Sequence, residues 1–284
     1  MHQKYLIPFL AFAIACTSEN KNTEKKIVAN ISQEMPVKGT DISPQKEIDT
    51  IDKSRALSVK KETPIPPKKD SIKPKMPKPK PTEKSLEQSL TDMGLIDIQT
   101  IDASIKSDVK YSTTDNFMKA DAYGELNKIF LQKEVAEMLA KAHVALKKTY
   151  PNYRFIVFDG ARPFRVQQKM WEIVKGTDMA HYVAIPNAKG SMHNYGCAVD
   201  LSVIDEKGKE LDMGTPFDFL GALAQTTVEE AYIKQGKLTR KQVDNRLILR
   251  KAMESVGFKV LNREWWHFNA FSDVTVLQKY KKIP

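Results

Sequence analysis

The stretch Ala198-Val-Asp-Leu-Ser-Val203 constrains this chain more than any other. It is apolar and β-branched enough for a buried strand, and Gly196 supplies a turn through which to enter it. Yet it carries Asp200. An acid in such a strand is costly unless it is paired or bound to a cation. The run before it, Ser191-Met-His-Asn-Tyr-Gly, supplies His193, seven residues upstream. Far downstream, Glu264-Trp-Trp-His267 supplies a second imidazole, with a carboxylate three residues before it. Two His and one Asp make a three-ligand set of the zinc type, with a fourth position open for water. Glu264 is then the spare carboxylate that takes a proton from that water. A lone His is more often structural than a ligand. This chain has only five His, however, and two stand in these runs beside acids, Gly and aromatics.

The 284 residues carry a formal charge of +10. Much of the Lys excess lies before residue 90, in a Pro-rich tract, and no stripe of Arg with interleaved aromatics is present. The basic balance is therefore not read as nucleic-acid binding. The two cysteines, Cys16 and Cys197, form no CxxC motif, which argues against a thiolate zinc site or a dithiol redox site. Cys197 is expected to be a packed small hydrophobe rather than a ligand.

Residues 1–16 read as an export signal. A short basic start precedes about ten apolar residues, too few for a transmembrane helix of roughly 20. The apolar run ends in Ala15-Cys16, resembling a bacterial lipoprotein signal in which Cys16 is lipidated, although Ala13 stands where Leu is usual. An ordinary secretory signal containing a Cys is the alternative. Residues 17–88 are expected to be a disordered Lys/Pro-rich linker, since they offer little apolar surface to offset ordering entropy. Within them Lys73-Pro-Lys-Met-Pro-Lys-Pro-Lys-Pro81 favours extended polyproline II. The tract is a solvated spacer, or a basic arm on an anionic envelope surface.

From about Ser85 the composition becomes globular, and residues 89–284 are read as one catalytic domain. Leu95 to Ile101 alternates like a strand. The spacing of Leu131, Val135, Met138, Leu139, Ala142 and Leu146 predicts a packed helix over 131–150. His143 stands in that helix beside Lys residues and is read as a surface His. Tyr153-Arg-Phe-Ile-Val-Phe158 predicts a central strand. It runs into Asp159-Gly-Ala-Arg162-Pro163, with Pro163 at the first position of a helix over 164–175. Arg162 thus stands at a strand-to-helix junction, a common place to present a functional side chain. Asp205 to Gly208 reads as a turn and 211–218 as a loop. Thr239 caps a helix to about Val256, and residues 258–261 and 264–268 form a final hairpin. In a regular strand, residues three apart point to opposite faces. Glu264 and His267 can share a site only if Glu264 starts the strand or an irregularity intervenes, so Glu264 is expected at the hairpin end.

Collected, His193, Asp200 and His267 are candidate ligands, Glu264 the base, and Arg162 a fixed cation for the oxyanion of a tetrahedral intermediate. This is a peptidase layout. For Arg162, an ion pair with Asp159 at the surface is the competing reading.

Ser-x-His-x6-Asp, followed by Glu-x-Trp-His and preceded by Asp-Gly-x-Arg-Pro, resembles the zinc D-alanyl-D-alanine dipeptidases of the vancomycin-resistance type. Their wider relatives are the zinc D,D-carboxypeptidases of peptidoglycan. The resemblance covers about Leu95 to Phe271. Tyr111-Ser-Thr-Thr-Asp-Asn-Phe117 and Met213-Gly-Thr-Pro-Phe-Asp218 favour the dipeptidase branch. It implies one zinc ion on His193, Asp200 and His267, the base at Glu264 and the transition-state arginine at Arg162. It also implies that Asp218 with Tyr111 anchors the dipeptide ammonium and that Ser191 holds the substrate near its carboxylate end. Recognition of both free ends limits a site to dipeptides, because a longer chain leaves an anchor buried and unpaired.

The expectation is an α+β domain, with helices on a small, mostly antiparallel sheet and zinc in a cleft on it. It hydrolyses D-Ala-D-Ala in peptidoglycan turnover or salvage. The enzyme is exported and held to a membrane through the lipid on Cys16, facing the periplasm or cell surface. The alternatives are a D,D- or L,D-carboxypeptidase trimming stem peptides, and a non-catalytic wall-binding lipoprotein.

Overall fold

A computed structural model describes residues 84–284. The signal and lipidation site expected at residues 1–16 lie outside the described residues, as does nearly all of the linker. The described part is a mixed α+β structure with six helices and two sheets. None of these helices is long and apolar enough to cross a membrane.

Helix α1 (Leu86–Asp92) starts where the Ser85 hydroxyl accepts from the Gln88 N–H. Strand β1 (Ile96–Asp97) follows, then β2 (Lys106–Ser107) and β3 (Phe130–Leu131). Helix α2 (Lys133–Thr149) leads into β4 (Arg154–Asp159), and α3 (Phe164–Val174) follows it. Next come β5 (Ala198–Ile204), α4 (Glu229–Lys234) and α5 (Arg240–Glu254). The chain closes with β6 (Lys259–Leu261), β7 (Glu264–Asn269) and α6 (Asp273–Lys279). The main sheet runs β2-β4-β5-β7-β6, and only the β2–β4 pair is parallel. Strands β1 and β3 form a separate antiparallel pair.

The apolar periodicity of α2 buries Val135, Leu139, Ala142 and Leu146. Thr239 caps α5 in a reciprocal box with Gln242, and α5 packs on α2. Every residue of β5 is buried, so both faces of the sheet are covered around Asp200.

Several sequence expectations change. Residues 95–101 form only the short β1, after which Ile98–Thr100 turns as a 3-10 helix capped by Asp97. Strand β4 is interior to the sheet as expected, and β5 takes the middle place. Pro163 keeps an extended ψ and caps α3 rather than entering it. The largest correction concerns His143, which is fully buried. Its Nδ1 lies 2.8 Å from Asp102 Oδ2, and its ring stacks on Phe155 at 5.2 Å. The neighbouring Lys residues suggested a solvated face, but the helical period turns His143 toward the sheet with Leu139 and Leu146.

Burial opposes ionisation of Asp102. Hydrogen bonds from Ser104 and His143 outweigh it and hold the carboxyl below the usual range. Burial likewise holds His143 below its ordinary value, against the pull of Asp102. Both folded values lie below the unfolded ones. The stability each contributes is present above its unfolded pKa, near 6.5 for His143 and 3.8 for Asp102, and is lost as pH falls. The unfolding free energy should therefore decline on acidification below about pH 6.5. Asp102→Ala, which orphans a buried imidazole N–H, should cost about 1–3 kcal/mol at neutral pH. Denaturant titration measures both, and an unchanged midpoint in the variant would contradict the buried pair.

Candidate metal centre and active site

Three adjacent strands bring the acids and one imidazole into line. Asp159 ends β4 opposite Asp200 of β5, and Asp200 pairs in register with His267 of β7. His193 arrives from a 3-10 turn, Met192–Tyr195, that precedes β5. Ser191 caps this turn, its hydroxyl accepting from the His193 N–H at 3.4 Å. Asn194 completes the cap by accepting from the Ser191 N–H and donates to the Arg162 carbonyl at 3.0 Å. The turn ends at Gly196 with φ +66°, where an added Cβ would meet Leu95 Cδ2 at 2.7 Å. The Ser-x-His-Asn-x-Gly spacing thus has a local reason: it builds and ends the turn that presents His193.

Hydrogen bonds set the tautomers of both rings. His193 Nδ1 lies 2.7 Å from the Gly160 carbonyl, which can only accept, so Nε2 presents its lone pair inward. His267 Nε2 donates to Asn269 Oδ1 at 2.9 Å, leaving the lone pair of Nδ1 inward. These two nitrogens are 3.1 Å apart. Asp200 Oδ1 lies 3.3 Å from the first and 3.0 Å from the second, buried and with no hydrogen-bond partner. Three acceptors face one another with no hydrogen between them. A proton on one ring would relieve one repulsion by charging a buried imidazole, whereas a divalent cation satisfies all three donors at once. His193, Asp200 and His267 are therefore fitted to hold a metal ion, and they form the one such group among the described residues.

Glu264 takes the position anticipated for it. It starts β7 opposite Leu261, and a shift in register between Val260 and Leu261 removes the regular alternation. Its Oε2 is 3.8 Å from His267 Nδ1. Burial pushes its carboxyl up to about 8, and the neighbouring acids Asp200 and Asp218 push in the same direction. Burial also opposes ionisation of Asp200, and only a positive charge at the two rings, a proton or a bound cation, draws its carboxyl well below the usual carboxylate range. A bound dication would favour the ionised form of both acids.

Arg162 forms the expected pair with Asp159, but in the interior. Its Nε and Nη2 donate to Asp159 Oδ2 at 2.9 and 2.6 Å, and Nη1 donates to Gln167 of α3 at 3.0 Å. Asp159 is fully buried and also accepts from Tyr123 at 2.8 Å. The guanidinium lies over the Tyr111 ring at 5.2 Å and 3.6 Å from Asp200 Oδ2.

Tyr111 donates to Asp218, its hydroxyl 3.0 and 2.9 Å from the two carboxylate oxygens. Asp218 has φ +61°, uncommon for a residue with a Cβ. Its loop is held in place from several sides. Arg246 donates to the Met213 carbonyl at 2.7 Å, Asn245 to the Asp212 carbonyl at 2.8 Å, and Trp265 to Thr215 at 2.8 Å. Burial and the charge of Asp200 push Asp218 up to about 7, against the Tyr111 hydrogen bond. Tyr111, Arg162, Ser191, His193, Asp200, Asp218, Glu264 and His267 all line one cavity of about 300 Å³. Cys197 does not line it. Its side chain is fully buried and burial pushes its thiol up to about 12, as a packed hydrophobe requires. Asp159, Gln167, Asn194 and Asn269, which orient the others, were not singled out as site residues from the sequence. Their signal is the role each plays toward a neighbour in space, which chain order does not reveal.

A buried His-Asp-His cluster with a spare carboxylate and a fixed arginine beside it, on a mixed α+β sheet, is the constellation of a metallopeptidase. Residues 91–284 match the sequence profile described as D-ala-D-ala dipeptidase, and the chain belongs to that family of metallopeptidases. It is similar to D-alanyl-D-alanine dipeptidases from three bacteria. The Escherichia coli enzyme is 28% identical over 174 residues, 61% of this chain and 83% of the relative. That of Enterococcus faecium is 29% identical over 194 residues, 62% and 91% of the two chains. That of Enterococcus faecalis is 28% identical over 186 residues, 60% and 87%.

Metal added to the chelator-stripped protein should raise its melting temperature, because the folded cluster binds and the unfolded chain does not. Asp200→Ala or His267→Ala should abolish most of that shift. An equal shift in wild type and both variants would place the metal elsewhere.

Proposed function

We propose that the chain is a zinc-dependent dipeptidase that hydrolyses D-Ala-D-Ala to two D-alanines. One observation carries this reading: the Asp218–Tyr111 pair faces the metal cluster within a single small cavity. That cavity lies at the low end of the roughly 300–1,000 Å³ typical of ligand pockets. The names of the relatives agree with it. His193, Asp200 and His267 would hold the ion, and Asp218 and Tyr111 would receive the substrate ammonium. Ser191 would contact the peptide near its carboxylate end.

Zinc held by these three residues would supply a Lewis acid for the carbonyl and would lower the pKa of a bound water to about 7. Glu264, buried beside the cluster, accepts the proton of the attacking water and returns it to the leaving amine. Arg162 is held rigid by Asp159 and Gln167. It offers its charge to the oxyanion without reorganising during the reaction.

A second cavity gives weight to the carboxypeptidase alternative. It is lined by Trp171, Ile185, Val260 and Arg263 and shares Tyr182, Leu261 and Glu264 with the first. A longer stem peptide could extend there. The dipeptidase reading is preferred because a partly buried acid facing the scissile centre calls for a cationic end group. The proposal also covers export, lipidation at Cys16, the linker and a catalytic domain from residue 89. That part rests on the leader-like residues 1–16 and the polar tract behind them. An exported enzyme of this kind would salvage dipeptide released from peptidoglycan.

Product analysis with D-Ala-D-Ala, a tripeptide and a muropeptide, with and without chelator, tests the reading. Free dipeptide should be cleaved fastest, and chelator should abolish turnover. Glu264→Ala should lower kcat by about 10²–10⁴-fold. Asp218→Ala should lower kcat/KM on the free dipeptide far more than on its N-acetylated form. Unchanged dipeptide turnover in Asp218→Ala would remove that residue's assignment.

A further inference from the structure

The cavity is lined by two permanently cationic side chains, Arg162 and Lys189. Arg162 is committed to Asp159 and Gln167, both buried. Lys189 is not committed to the interior. Its ammonium pairs with Asp273, the first residue of α6, and about half of each side chain is exposed at 47% and 51%. Such a pair is weak and is readily given up for a better partner.

The backbone that carries Lys189 is fixed. Asn187 Oδ1 accepts from the N–H groups of Lys189 and Gly190, both at 3.0 Å. Tyr195 donates to the Lys189 carbonyl at 2.8 Å, and Lys282 donates to the carbonyls of Asn187 and Ala188. Gly190 has φ +70°, and an added Cβ there would meet Asn194 Oδ1 at 2.6 Å. The loop is therefore locked to the same Asn194 that orders the His193 turn. Lys189 stands two residues before Ser191 and four before His193. A flexible side chain is thus mounted on a rigid base at the cavity wall.

A dipeptide with free ends brings one ammonium and one carboxylate. Asp218 with Tyr111 answers the ammonium. Among the other polar side chains of the wall, Asp200, Glu264 and Asp273 repel a carboxylate. Ser191, Tyr182 and Asn269 offer only neutral donors, and the Ser191 hydroxyl already serves as a cap. We propose that Lys189 is the anchor for the substrate's terminal carboxylate, leaving Asp273 when the peptide enters, and that it selects peptides with a free C-terminus. The assignment rests on the reading of this site as one for short peptides, and it applies to dipeptide and stem peptide alike.

The test compares D-Ala-D-Ala with its C-terminal amide in the metal-loaded full chain. Wild type should prefer the acid. Lys189→Ala should raise KM for the acid roughly 10- to 100-fold, the worth of one hydrogen bond to a charged group. Its kcat should change much less, and its KM for the amide hardly at all. Lys189→Arg should restore the preference. Asp273→Asn, which removes the competing carboxylate, should lower KM for the acid and leave the amide unaffected. An acid-to-amide preference in Lys189→Ala equal to that of wild type overturns the role of Lys189, while dipeptide hydrolysis itself stands. Failure of the wild-type protein to cleave any short peptide overturns the site reading and the Lys189 role together.

Discussion

The buried meeting of Asp200 with two imidazole lone pairs is the interaction on which the rest of this structure depends. Each of the three groups is a good hydrogen-bond acceptor, and none supplies a proton to another. In water the arrangement would be harmless. Inside a sheet covered on both faces it is unfavourable until a cation enters. The fold holds it open by making each imidazole donate outward, to the Gly160 carbonyl and to Asn269. Those outward bonds give two ambiguous rings a defined orientation, the one a metal ligand requires.

Around that centre the same logic recurs. Arg162, Asp159 and Asp218 are each held by a neighbouring group. Arg162 is gripped by Asp159, which Tyr123 and the Gly160 N–H satisfy in turn. Asp218 is met by Tyr111 and the Phe117 N–H, and its loop is tied to α5 and β7 by Arg246 and Trp265. The result is a site whose charges are placed before substrate arrives, the condition for electrostatic stabilisation of a transition state. The rim differs. Lys189 and Asp273 are half exposed, and the pair is of the weak surface kind, which suits the exchange of partners proposed for Lys189.

Much of this was legible in order along the chain. The strand of β5, the helices α2, α3 and α5 and the final hairpin follow from period and capping, because those signals act within one or two turns of chain. The irregular start of β7 was legible too, since a three-residue spacing cannot place Glu264 and His267 together in a regular strand. His143 was misread for an equally physical reason. Its neighbours in sequence are lysines, but its neighbours in space are Asp102 and Phe155, and only the latter decide burial. The short helices α1, α4 and α6 went unread, being too brief to show a period.

By itself the sequence determined which residue types could ligate a metal, which acid was spare, and that an acid in an apolar strand demands a cation. These are properties of composition and of spacing within single elements. The tertiary structure alone decided which nitrogen of each His faces inward, that Arg162 is gripped from within, and that Asn194 joins two loops. It alone set Lys189 at the edge of the cavity. Some of those facts depend on partners far apart in the chain, such as Lys189 and Asp273. Pairing of β4, β5 and β7, segments well separated in sequence, is what brings Asp159, Asp200 and His267 side by side.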